Sequence, residues 1–103
     1  MEIELKNYID NKKVLSGRDN GAALRKKLDL EKIEKEKDKI TIIIPIEVYA
    51  VNSSFFLGMF GKSVRTLGKE EFEKKYYFKC NEVVKLNIED GINDAINNVD
   101  VFS

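Results

Sequence analysis

The sequence predicts an α/β fold, a small mixed β-sheet flanked by helices in the order β-β-α-β-α-β-α, as a single domain over residues 1–103. Three observations carry this. The run Ile40 to Ile46 is nearly all apolar and β-branched, as in a strand covered on both faces. Phe56, Phe60, Val64 and Leu67 recur at helical spacing. A chain of 103 residues, 43% hydrophobic and 35% charged, supports one core under a heavily charged surface.

In chain order, Ile3 and Leu5 alternate with Glu2, Glu4 and Lys6, and Asp10-Asn11 reads as a turn before Lys12 to Leu15. A hairpin is the expectation. Ser16 to Gly21 is turn-rich and leads into a helix from Ala22, where Leu24 and Leu28 stand one turn apart and Asp19 or Asn20 is the expected cap. Glu31 to Lys39 alternates in charge sign with only Ile33 and Ile40 as apolar anchors, the pattern of a solvated helix face or loop. It is assigned no chemistry. Ile40 to Ile46 is the central strand, with Pro45 near its end because proline has no N–H for the ladder. Asn52-Ser53-Ser54 opens a second helix that ends before Gly68. Tyr76 to Lys79 is a short strand candidate. Ile88, Ile92, Ala95, Ile96 and Val99 mark one face of a C-terminal helix beginning as early as Glu82.

The absence of histidine excludes Ser-His-Asp and Cys-His catalysis, His-ligated zinc and phosphohistidine relay within this chain. Cys80 stands alone, so it forms no internal disulfide or multi-thiolate metal site and reads as a packing residue. No metal and no cofactor are expected. Eighteen basic residues balance eighteen acidic ones, and the clusters Lys12-Lys13 and Arg25-Lys26-Lys27 lack interleaved aromatic residues, so no nucleic-acid partner is expected. The N-terminus has no signal-peptide pattern and no apolar run is long enough for a membrane span. A cytoplasmic protein without membrane contact is the expectation.

The stretch most able to carry function is Val48 to Phe56, a strand exit running into a double serine at a helix start. Ligands bind at the carboxyl ends of strands in open α/β sheets, and a helix N-terminus favours a phosphate or carboxylate. The plain alternative is that Asn52 or Ser53 caps the helix. The same helix carries an apolar arc wider than its core stripe needs, with Phe55 and Met59 on one side and Leu57 on the other. Either a larger core wraps it or a partner covers it. Ser16 to Gly21, with Arg18 and Asp19, is a secondary candidate loop for an anion, against which ordinary helix capping stands.

Asn52-Ser53-Ser54 before a helix resembles the signature of STAS domains, the sulfate transporter and anti-sigma factor antagonist fold, whose strand exit carries Asp-Ser-Ser or Asp-Ser-Thr. Gly17-Arg18-Asp19-Asn20-Gly21 with Leu24-Arg25, then Ser53-Ser54-Phe55 and Phe60-Gly61, then Gly68 to Phe72, is similar to the STAS-like domain family of unknown function, over about Ser16 to Asn98. Asn52 stands where antagonists have aspartate. Ile44-Pro45 and Leu57-Gly58 replace acidic positions of the STAS-like family. The resemblance implies a bacterial-type signalling module that docks a partner protein, such as a histidine-kinase-like ATPase or anti-sigma-type factor, and is released by phosphorylation of the serine matching Ser53.

The combined expectation is a protein-binding regulatory module and not an enzyme. Its contact surface comprises Asn52, Ser53, Ser54, Phe55, Leu57, Gly58, Gly61 and Arg65, with Phe55 and Leu57 exposed and the glycines forming a low-profile strip. A homo-oligomer remains open. The competing class is a module sensing a nucleotide or other anion at the Ser53 helix N-terminus; a Ser53 enzyme with a lysine base ranks third.

Overall fold

Two sets of parallel strands organise the protein, seen in a computed structural model that describes residues 1–97. Along the chain the elements are β1 (Glu2–Glu4), a 3-10 turn (Leu5–Asn7), β2 (Val14–Leu15), α1 (Arg18–Leu28), α2 (Leu30–Glu34), β3 (Ile40–Ile43) and β4 (Ala50–Val51). There follow α3 (Ser53–Phe56), a π turn (Leu57–Gly61), α4 (Lys62–Leu67), α5 (Lys69–Lys75), β5 (Tyr76–Lys79) and α6 (Glu82–Asn97). The α/β class holds.

β3 is central, as its composition requires: it pairs in parallel with β1 (Ile3 opposite Ile42) and with β5 (Ile42 opposite Phe78), giving the order β1-β3-β5. Ile40 and Ile42 are fully buried, whereas Ile46, expected in this strand, lies beyond Pro45 and is 77% exposed. The expected hairpin does not form. Asp10 and Asn11 do make the turn, both at positive φ (51° and 61°), a conformation their short polar side chains tolerate. The strands on either side of it go to different partners, because Leu5 buries in a 3-10 turn that ends β1 and β2 then pairs in parallel with β4. The expected mixed sheet is therefore replaced by parallel ladders in a three-stranded and a two-stranded sheet.

α3, the π turn and α4 are one continuous helix, 53–67, since the junction residues Phe56, Leu57, Gly61 and Lys62 all keep right-handed helical dihedrals. Its core stripe is as expected: Phe56, Phe60 and Val64 are buried and Leu67 packs at the edge. Phe60 lies 5.3 Å from both Tyr76 and Phe78, and Phe72 stacks on Tyr76 at 4.8 Å, so an aromatic cluster fastens this helix to β5. Gly68, at φ 84°, ends α4 as expected and also opens α5, a helix that was not expected. α6 buries Ile88, Ile92 and Ala95 as expected, while Ile96 is 41% exposed and Val99 lies outside the described residues, as does the Asn98 limit of the resemblance.

α1 begins at Arg18, earlier than the turn-rich composition suggested, because Gly17 at φ 92° makes the cap. Neither Asp19 nor Asn20 caps through its side chain; the Asn20 amide instead donates to the Ser16 carbonyl at 2.9 Å. Arg18 and Asp19 are thus exposed helical residues, not an anion-cradling loop.

Candidate functional site

Ser53 sits at the first turn of the 53–67 helix with Asn52 as the N-cap residue, extended at φ −71°, ψ 151°. The Asn52 carbonyl accepts the Phe56 N–H at 3.0 Å, but no side chain caps the helix. Asn52 thus holds the N-cap position, as the plain alternative had it, but without the side-chain hydrogen bond that makes a cap stabilising. The Ser53 hydroxyl instead donates to the Asp94 carboxylate on α6. Two turns before, Asn87 accepts the Val51 N–H at 2.9 Å and so fastens α6 along β4. These groups, with Asn93 and Asp90, line an open hollow of about 430 Å³ around Ser53. Asn52, Ser53, Ser54 and Asp90 face solvent.

The hollow carries two carboxylates where an anion would bind. Asp90 and Asp94 oppose a free phosphate that the helix N-terminus would attract, and the charges of two carboxylates outweigh the roughly half charge of a helix dipole.

The rest of the expected contact strip is largely inside the protein. Phe55 is 5% exposed and Met59 fully buried, and Leu57 is half-buried against the core. The expectation that Phe55 and Leu57 face a partner is corrected: α1 covers the Phe55 side of the helix, and Leu57 packs half-buried against the core. Gly21 and Gly58 make the crossing possible: a Cβ on Gly21 would lie 2.2 Å from the Phe55 carbonyl oxygen, and one on Gly58 would lie 2.1 Å from that of Arg18. On the other side α6 closes in through Gly91, whose Cβ position lies 2.5 Å from the Phe56 ring. Of the expected strip, Gly61 is buried, Gly58 is covered by α1, and Asn52, Ser53, Ser54 and Arg65 remain exposed. The Ser54 hydroxyl accepts the Gly17 N–H at 3.3 Å, tying the helix start to the start of α1.

A second polar cluster was not legible in the sequence. Arg25 donates to the Met59 carbonyl and to the Ser63 hydroxyl, both at 2.8 Å, and lies 3.9 Å from Glu34. Ser63 and Tyr76 both donate to that same carboxylate. A π turn departs from the regular i→i−4 ladder, and Arg25 supplies a donor to a carbonyl within it. Burial, then the hydrogen bond to Glu34, raises the Tyr76 phenol well above its ordinary range. Glu34 comes from the charge run that looked like a solvated face; its one sequence signal is its place a residue after the half-buried Ile33 on α2. Nearby, a 2.6 Å hydrogen bond from Lys62 holds the exposed Glu31 carboxyl below its usual value. Cys80 packs half-buried against the core, and burial pushes its thiol up, as befits a packing residue.

Among the described residues no cluster of three or more His, Cys, Asp or Glu side chains is arranged to hold a metal ion, and no helix is long and apolar enough to cross a membrane. Comparison with protein-family models, with curated proteins and with solved structures returned no match. The STAS resemblance rests on the motif residues alone.

Proposed function

We propose that this chain is a protein-binding regulatory module whose contact surface is the Asn52–Ser54 end of the 53–67 helix with the adjoining face of α6, and that phosphorylation of Ser53 switches it. The observation that carries the reading is the Ser53–Asp94 hydrogen bond: an exposed hydroxyl at a helix start links two helices. Phosphate on Ser53 adds roughly −1.5 to −2 charges and removes the donor. A bond between α3 and α6 becomes repulsion from Asp94 and Asp90. Beside the hollow, Leu86 and Val83 on α6 are 59% and 54% exposed and supply the apolar anchor that a docking surface needs. Phe55, buried, and Leu57, half-buried against the core, cannot serve that purpose. The partner class that the resemblance implies, a histidine-kinase-like ATPase or anti-sigma-type factor in the cytoplasm, belongs to this proposal and involves no catalysis by the chain.

Quantitative affinity capture from the source organism tests it, with unmodified, Ser53-phosphorylated and Leu86→Glu baits. The expected result is one protein retained by the unmodified bait and lost by both others. Equal recovery on all three baits overturns the reading.

A further inference from the structure

β2 presents an open edge inside a groove, and we propose that this groove accepts an extended acidic segment of a partner protein as an additional strand. The Lys13 and Leu15 carbonyls both face β4, accepting the Tyr49 N–H at 2.9 Å and the Asn52 N–H at 2.8 Å. Main-chain groups of successive strand residues point to opposite sides, so the N–H and C=O of Val14 point away from β4. Among the described residues β2 has no second strand neighbour. An open edge of this kind is a template for pairing.

The surface beside that edge is a groove of about 360 Å³ running between β2 and α1. Its floor is apolar: Ile9, Leu15, Leu24 and Phe55 are each no more than 7% exposed. Its charged lining consists of Lys12 and Lys27, with no carboxylate. The Lys27 ammonium lies 5.8 Å from the Tyr8 ring centroid, a cation–π contact that holds it over the rim. In a chain of zero net charge this is a locally cationic groove, and it selects an anionic occupant. The groove beside another edge strand, β5, makes the contrast: Glu73, Lys79, Glu82, Lys85 and Glu89 line it, so its charge selects nothing.

Strand side chains alternate between faces. A segment alternating apolar and acidic residues therefore lays its apolar side chains on the floor and its carboxylates toward Lys12 and Lys27, with main-chain bonds to Val14 supplying affinity. This site is separate from Ser53 and the docking proposed there.

The probe is a capped hexapeptide of alternating valine and glutamate, titrated into the isotope-labelled 103-residue chain and followed by amide NMR. Shifts centred on Val14–Ser16 and on α1 from Asn20 to Lys27 are expected. Affinity is expected to fall roughly tenfold or more with added salt, in the Lys12→Glu/Lys27→Glu variant, and for a peptide N-methylated along one backbone edge. The N-methylated peptide leaves the protein untouched, so a folding defect cannot mimic that result. The Ser53→Asp chain is expected to bind the peptide unchanged, so the two proposals fail separately. The inference is overturned by absence of shifts at millimolar peptide, by equal binding of the N-methylated peptide, or by indifference to the lysine substitutions. Shifts at Val14 that follow protein concentration alone overturn it too, by assigning the edge to a second copy.

Discussion

Gly58→Ala and Gly61→Ala are expected to change stability in opposite directions, although the two residues lie three apart on one helix. A Cβ on Gly58 would sit 2.1 Å from the Arg18 carbonyl oxygen, about 0.9 Å inside the 3.0 Å that real Cβ atoms keep. The obstacle is backbone, so no side chain can turn aside; α1 and the π turn must part by nearly an ångström. Overpacking of this kind costs about 3 kcal/mol at its upper end. Alanine returns about 1 kcal/mol through helix propensity, leaving a net loss of about 2 kcal/mol. For a domain of this size that is a fall in Tm on the order of 10 °C. At Gly61 the nearest atom is the Arg65 guanidinium at 3.3 Å, the far end of a flexible side chain, so most of the propensity gain survives. The expected result is a gain of about 0.5 kcal/mol. Urea denaturation of both variants measures the difference. If Gly58→Ala is as stable as the parent chain, α1 does not lie against Gly58 and the glycine is free to receive a partner.

The Arg25 cluster and the titratable groups yield three further expectations. Arg25→Met leaves the Met59 carbonyl without its side-chain donor and the largely buried Glu34 carboxylate without its cation, a loss of about 2 kcal/mol by chemical denaturation; a loss below about 0.5 kcal/mol would show that water replaces the guanidinium. Tyr76 holds its proton more tightly folded than unfolded, so its contribution is complete below about pH 10, the ordinary phenol value, and is lost as pH rises beyond it. Near-UV circular dichroism should therefore show cooperative alkaline unfolding, displaced to higher pH in Tyr76→Phe; an unchanged midpoint contradicts the assignment. Ser53→Ala should cost about 1 kcal/mol, the worth of one hydrogen bond, and Ser53→Asp more, because it sets a carboxylate against Asp94. Equal melting temperatures for the two variants would mean that Asp94 does not restrain the serine.

How far the fold is legible in the sequence follows from what each pattern encodes. Periodicity reports burial, so Ile40–Ile43, the stripe Phe56-Phe60-Val64 and the face Ile88-Ile92-Ala95 are visible at once. Pairing is another matter. Alternation at Ile3 and Leu5 says that a strand begins there but not that its neighbour is Ile42, and turn chemistry at Asp10-Asn11 made the local hairpin the natural inference. Parallel partners are distant in sequence and leave no local mark. α5 was hidden for a similar reason: Gly68 reads as a stop, and Phe72 is the one buried residue of a seven-residue helix otherwise composed of charged residues.

The site shows the same division more sharply. The wide apolar arc around Phe55, Phe56, Leu57 and Met59 was visible, yet an arc says only that something covers it. The answer lay in Gly21, a residue that looked like turn punctuation and in fact brings α1 onto the helix. Once α1 and α6 occupy those flanks, what stays exposed of the expected strip is Arg65 near the helix's far end and Asn52, Ser53 and Ser54 at its start. There Ser53 is bonded to an acid more than forty residues along the chain, a contact no motif spacing reveals. That bond also changes what phosphorylation would do. On the isolated helix a phosphate is welcomed by the dipole and the fold is indifferent to it; beside Asp94 and Asp90 it faces two carboxylates and strains the α3–α6 junction. A switch at Ser53 would therefore act on the shape of the docking surface as well as on its charge.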